Sequence, residues 1–209
     1  MDVTGLTGGM GSGKSAVARF LCRRFAVSCF SADRIVHELL EPHRSCWQVV
    51  RDLDTSFLNE DQTVKKPFFR QALFGDAALR RQVNERMHPL VRQALLGKIQ
   101  GEHRESGQSR FLLEVPLLYE ANWQDLFSRV IVVYAEPEKC VERVMARDGV
   151  PRELAEKSIF SQWSLRGKAL RADHVVNNSG LWADACIQLS HLGELLWGKC
   201  ETGTSKKSL

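Results

Sequence analysis

The sequence predicts an α/β fold, a five-stranded parallel sheet with helices on both faces. Three observations carry that prediction. Short unbroken apolar runs, clearest from Arg129 to Tyr134, alternate with segments of helical period, the pattern of strands covered on both sides and joined by helical crossovers. A glycine-rich stretch, Gly8 to Ser15, stands between the first such run and the first helical period. The composition, 44% hydrophobic and 26% charged over 209 residues, is that of a folding chain, long enough for one α/β domain with an insertion and too short for two large independent domains.

Taken in order, Asp2 to Thr7 reads as the first strand, and Lys14 to Phe25 as a helix with Val17, Phe20, Leu21 and Phe25 on one face. Between them, Gly8-Gly-Met-Gly-Ser-Gly-Lys-Ser15 satisfies the phosphate-loop pattern G-x-x-x-x-G-K-[ST], with Gly8, Gly13, Lys14 and Ser15 in the fixed positions. Glycines let backbone N–H groups close around a phosphate, the Lys14 ammonium reaches β and γ oxygens, and the Ser15 hydroxyl can ligate Mg²⁺. The helix N-terminus adds its positive dipole end. Gly9, Met10, Gly11, Ser12, Gly13, Lys14, Ser15 and Ala16 are therefore the candidate nucleotide-binding set, with ATP and Mg²⁺ as the expected cofactors.

Val27 to Ser31 reads as the second strand, with Ala32 and Asp33 at its carboxyl end, where ligands of open α/β sheets gather. From Arg34 to Arg110 only helical periods recur, as in Leu79, Val83 and Met87, then Val91, Leu95 and Ile99; this predicts a helical insertion over about 34–109. Pro42, Pro67 and Pro89 should break it, and Gly101 to Ser109 should lead out of it as a polar loop. Arg110 to Val115 and Arg129 to Tyr134 are the third and fourth strands. Pro137 opens a helix with Val141 and Val144 on one face and Arg143 and Arg147 on another. A charge-rich helical segment, a lid over about 147–171, precedes the fifth strand, His174 to Asn177. After the turn Asn178-Ser179-Gly180, a last helix carries Trp182, Ala185, Cys186, Leu189 and Leu196 at helical spacing. The core is thus expected over about 1–33, 110–147 and 172–200, with 201–209 a frayed tail.

The net charge of +4 rests on 29 basic against 25 acidic residues, too mild a surplus for a nucleic-acid partner and sufficient for a polyanionic small molecule. Six cysteines without a C-x-x-C pair read as reduced thiols. No apolar run is long enough to span a bilayer and no signal segment precedes the first strand, so a cytoplasmic protein with no membrane partner and no obligate protein partner is expected.

The chemistry rests on four further side chains. Glu114 ends the third strand, where phosphoryl-transfer enzymes keep a carboxylate for Mg²⁺. Asp33 suits either of two roles, a carboxylate that takes the proton of an alcohol acceptor or a helix N-cap. Arg143 and Arg147, four apart on one helix face, are placed to neutralise a transferring phosphoryl group. The other basic residues nearby, Arg152, Lys157, Arg166, Lys168 and Arg171, read individually as a solvated face. No Asn-Lys-x-Asp guanine motif and no Asp-x-x-Gly switch follows the loop, so kinase chemistry fits better than a regulatory GTPase.

In combination these motifs resemble the dephospho-CoA kinase family from about Val3 to Gly180. The resemblance is carried by Gly5 to Ser15; by Ala32-Asp33-Arg-Ile-Val-His37 and Glu41-Pro42; by Phe74 and His88-Pro89-Leu-Val91; by Val115-Pro-Leu-Leu-Tyr-Glu120; by Arg143-x-x-x-Arg147-Asp-Gly149; and by Gln162, Lys168, Ala172-Asp173 and Asn178-x-Gly180. It implies a P-loop NTPase of nucleoside-monophosphate-kinase-like fold, with a helical substrate-binding insertion and a lid. It also implies ATP-dependent phosphorylation of the ribose 3′-hydroxyl of dephospho-CoA, the last step of coenzyme A synthesis. By the same resemblance Asp33 is the catalytic carboxylate beside Lys14, Arg143 and Arg147, while Thr7, Asp33, His88, Pro116, Leu117 and Glu120 face the acceptor, and Ser15 and Glu114 face the metal. The chain departs from the family pattern at Ser31, Lys66, Glu114, Cys140 and Asn177. Two alternatives stand beside this reading: a nucleotide or small-alcohol kinase of the same fold and, motivated by those departures, a nucleotide-binding regulatory protein impaired in catalysis.

Overall fold

The structure, a computed structural model, describes residues 1–199; Cys200 and the expected tail over 201–209 lie outside the described residues. Its strands are β1 (Asp2–Gly8), β2 (Ser28–Ser31), β3 (Arg110–Glu114), β4 (Arg129–Tyr134) and β5 (His174–Asn177), in the sheet order β2-β3-β1-β4-β5. β1 runs parallel to β3 and β4, and β4 parallel to β5. Each of the five strands is one that the apolar runs predict. β1 is central, and neighbouring connections leave it in opposite directions, which puts its carboxyl end at the crevice where open α/β sheets hold ligands.

Two compact units make up the chain, Met1–Cys29 with the chain from Gln108 onward, and Phe30–Gly107. In the first, α1 (Lys14–Phe25) and α9 (Trp182–Trp197) cover one face of the sheet. Leu6, Val17, Leu21, Phe25, Val27, Leu112, Ile131, Val133, Val176, Leu189 and Trp197 form its main core. The two helices meet closely because Gly193 has no side chain: a Cβ there would run into the Phe25 ring. Phe25 in turn packs 5.9 Å from the Trp197 ring. The same unit holds α6 (Pro137–Asp148), α7 (Arg152–Phe160) and α8 (Leu165–Ala169).

The second unit is organised on α5 (Ala77–Ser106), whose Val83, Met87, Val91, Leu95 and Ile99 are all buried. Against it pack α2 (Ala32–Leu39), α3 (Ser45–Leu53) and α4 (Lys66–Gly75). Two sequence expectations are corrected here. Pro89 does not break the helix: its ring lies on the exposed side, where the carbonyl of Glu85 that loses its N–H partner can meet water, while the buried stripe runs on unbroken. The expected loop from Gly101 is likewise helical to Ser106, and ends at Gly107, whose φ of 72° is the left-handed turn a glycine makes without strain.

The expectation of free thiols also fails for one pair. α1 ends in a left-handed residue, Ala26, and the chain turns back into β2, so that Cys29 comes beside Cys22 with Cα atoms 6.3 Å apart and the two form a disulfide. Cys46, Cys140 and Cys186 are free, and burial pushes the Cys46 thiol up to about 11. Among the described residues no helix is long and apolar enough to cross a membrane.

Candidate phosphoryl-transfer site

The loop that follows β1 has the backbone its glycines require. Gly11 and Gly13 have φ of 77° and 93°. A Cβ on Gly11 would lie 2.5 Å from the carbonyl oxygen of Cys140, and one on Gly13 would collide with Nδ2 of Asn178. Gly13 caps α1, its carbonyl accepting from the N–H groups of Ala16 and Val17 at 3.0 and 3.2 Å. Across the loop, Lys14 Nζ donates to the Gly9 carbonyl at 2.9 Å.

Two long-range contacts fix the loop from outside. Asn178, just past β5, donates from Nδ2 to the Ser12 carbonyl at 2.8 Å, and its own carbonyl accepts from the Arg143 guanidinium at 2.8 Å. Arg143 also reaches the Gly11 carbonyl at 3.4 Å. Arg143 and Asn178 are therefore buttresses of the phosphate loop. In the sequence Asn178 stands in a turn and in the Asn178-x-Gly180 motif of the resemblance, but nothing local marks it as a partner of the phosphate loop, because Ser12 is 166 positions away.

Ser15 Oγ donates to Glu114 Oε1 at 2.7 Å. The parallel register that pairs Leu6 with Glu114 carries this carboxylate to the loop, so the shape of the sheet itself makes the pair. A hydroxyl beside a carboxylate is an oxygen set that suits Mg²⁺, a cation that takes few protein ligands and completes its shell with water and phosphate oxygens. Arg147, on the same face of α6 as Arg143, has a different partner: its Nε and Nη2 fork onto the two carboxylate oxygens of the neighbouring Asp148 at 2.7 Å, and the side chain is 60% exposed.

The loop after β3 carries a second cluster. Thr7 Oγ1 donates to the Pro116 carbonyl at 3.2 Å, and Lys168 Nζ donates to the same carbonyl at 2.9 Å. Glu120 Oε1 accepts from Lys168 Nζ at 2.9 Å and from the Trp163 N–H at 3.0 Å, while its buried Oε2 has no partner among the described residues. Leu117 is half-buried. The expectation of a solvated face is wrong for Lys168, which is fully buried. Its inward position follows from the capping of α8 by Ser164, whose hydroxyl accepts from the Gly167 N–H, so that the next residue turns toward the β3 loop.

Asp33 and His88 belong to the second unit. Asp33 is the second residue of α2, not its N-cap; Ser31 holds that place, and its side chain makes no cap hydrogen bond. The capping alternative thus has the wrong position. Asp33 is exposed, and among the described residues no hydrogen bond or ion pair engages its carboxylate. His88 is half-buried on α5, and burial holds its imidazole below the ordinary range. Lys66, one of the departures, has Nζ 3.5 Å from His37 Nδ1.

Comparison with known proteins agrees with the geometry. The family model for dephospho-CoA kinase matches residues 2–184. A dephospho-CoA kinase of Shouchella clausii is 34% identical over 178 residues, 84% of this chain and 89% of that protein. One of Vibrio parahaemolyticus is 30% identical over 98% of each. Among solved structures, a Thermus thermophilus protein at 26% identity gives a TM-score of 0.78, covering 93% of this chain and 97% of its own. Campylobacter jejuni dephospho-CoA kinase, at 23% identity, gives 0.64 over 92% and 96% and shows likeness of fold.

Proposed function

This chain belongs to the dephospho-CoA kinase family, and from that premise we propose that it transfers the γ-phosphoryl group of ATP to the ribose 3′-hydroxyl of dephospho-CoA, releasing coenzyme A and ADP. One observation carries the reading to particular residues: the Ser15 hydroxyl set on Glu114 at 2.7 Å, next to the Lys14 ammonium, in a loop of phosphate-cradle geometry.

In the reaction the phosphate loop from Gly9 to Ala16 holds the donor phosphates, and Lys14 exchanges its carbonyl partner for phosphate oxygens and follows the charge as it moves. Ser15 and Glu114 would hold Mg²⁺, which when bound would neutralise phosphate charge. Arg143 keeps Gly11 and Asn178 in place, and Arg147, free to leave Asp148 in solvent, supplies the mobile cation. Asp33, exposed and without a protein partner among the described residues, takes the proton of the ribose hydroxyl as the oxygen attacks phosphorus. By the family resemblance the insertion over about 34–109, including His88, binds the acceptor, Thr7, Pro116, Leu117 and Glu120 are acceptor-facing residues of the other unit, and the segment over about 147–171 is the lid.

The test is incubation of the full chain with ATP, Mg²⁺ and a panel of alcohols including dephospho-CoA, with coenzyme A and ADP separated and quantified. Equal amounts of the two products, with dephospho-CoA as the best acceptor, are expected. Release of ADP without coenzyme A, or faster transfer to another alcohol, overturns the proposal.

A further inference from the structure

The segment from Ser161 to Arg171 touches the phosphate loop and the loop after β3 at once. On the first, Gln162 Oε1 accepts from the Met10 N–H at 3.1 Å, and Leu165 packs so closely on Gly9 that a Cβ there would lie 3.2 Å from Leu165 Cγ. On the second, one oxygen of Glu120 holds both the Trp163 N–H and the Lys168 ammonium. The Trp163 indole lies parallel to the Tyr119 ring, 4° from coplanar, with the Arg171 guanidinium 5.1 Å from its centre.

Lys168 is the centre of this arrangement. An ammonium at 0% exposure loses its hydration, and for stability alone an apolar pair in place of Lys168 and Glu120 would fill the space without that penalty. What the charge supplies instead is direction: two 2.9 Å bonds to groups 48 and 52 positions away, the Glu120 carboxylate and the Pro116 carbonyl. The Pro116 carbonyl is also the acceptor for Thr7, the residue before Gly8, and lies two positions after Glu114. One ammonium therefore joins the end of β1, the end of β3 and the segment that meets the Met10 amide.

We propose that Lys168 is a positioning residue for phosphoryl transfer, with Glu120 as its anchor. The buried pair docks the 161–171 segment on the phosphate loop, so that Gln162 and Leu165 hold the loop in shape when the donor is turned over. Glu120 is thereby given a role in the lid contact beyond the acceptor-facing one that the family resemblance implies. The proposal rests on the kinase reading above, and its test separates the two.

The test uses the full chain carrying Lys168→Met, Glu120→Gln, or both. It measures thermal midpoint, kcat and KM for ATP, and acrylamide quenching of Trp163, taken as the difference from a Trp163→Phe form of the same variant. Lys168→Met should lower the thermal midpoint, because Glu120 is left charged and unpaired. The double variant should regain most of that loss, yet its kcat should stay roughly 10- to 100-fold down with a smaller change in KM, the pattern of misplacement rather than lost binding. Trp163, 44% exposed and stacked on Tyr119 in the parent, should be quenched further by acrylamide in both as that stack opens. Glu120→Gln, which keeps an acceptor oxygen and so folds readily, should show the same changes to a lesser degree. Parent-like kcat in the double variant, or parent-like Trp163 quenching in Glu120→Gln and the double variant alike, overturns the proposal. A parent protein that makes no coenzyme A refutes the kinase reading instead, and the quenching still decides whether the pair docks the segment.

Discussion

The two units hold their polar side chains in opposite ways. In the phosphate-loop unit they are tied to partners remote in sequence: Asn178 to Ser12, Arg143 to Gly11, Ser15 to Glu114, Lys168 to Pro116. In the helical unit the core is an apolar stripe along α5, and the polar pairs lie outside it. Arg51 pairs with its neighbour Asp52 and Lys98 with Glu38, with every partner more than 40% exposed, and Asp33 has no partner among the described residues. The first unit is preorganised, with carbonyls and carboxylates already in place for an anion and its cation. The second leaves Asp33 and these ion pairs in water, where a ligand can recruit them without breaking the fold. Substitutions at the site should thus disturb structure and function together in the first unit, and function alone in the second.

The largest effect should come from Lys14→Ala. Losing the one cation that follows the transferring group should lower kcat/KM by about 10³-fold, roughly 4 kcal/mol of transition-state stabilisation. Steady-state kinetics with ATP varied checks this, and unchanged turnover would remove Lys14 from the reaction. Next is Asp33→Asn in the other unit, where kcat should fall by about 10² with ATP affinity retained, since an amide cannot take the hydroxyl proton. Because the side chain is exposed and is not the N-cap, the thermal midpoint should stay within about a degree of the parent. A stability loss alongside the rate loss would break the contrast between the units.

Asn178→Ala should show the opposite balance. It leaves the Ser12 carbonyl without its donor in a buried place, a loss of about 1–3 kcal/mol readable as a lower urea midpoint, together with weaker ATP binding. ATP affinity that survives such a loss would mean that the loop does not depend on its buttress. The smallest effect concerns His88. Burial holds its folded-state pKa below the unfolded value of about 6.5, so the unfolded chain binds more protons in that window. The contribution is fully present above the unfolded value and is lost as pH falls through the window toward the folded pKa. Urea midpoints at about pH 7.5 and about pH 5.5 should therefore converge slightly in His88→Asn relative to the parent. An identical pH difference in both proteins would mean that the imidazole does not contribute.

What could be read from the sequence was whatever the backbone decides over short distances. Gly8 to Ser15 demand one path because Gly11 and Gly13 adopt conformations that side chains resist, and the apolar runs of the five strands are complete within a few residues each. The sequence also carried the family resemblance, because its motifs are local. Tertiary structure alone decided the rest. Pro89 reads as a helix breaker, yet the buried stripe from Val83 to Ile99 outweighs one missing hydrogen bond. Lys168 reads as a solvated lysine and is buried, because Glu120 and Pro116 meet it from a distant loop. Asn178 reads as a turn and holds Ser12 from the far end of β5, and Cys22 finds Cys29 only because Ala26 reverses the chain. For Lys168 and Asn178 the deciding energy lies in a contact between residues that the folded sheet and helices bring together from far apart, and local periodicity carries no record of such a partner.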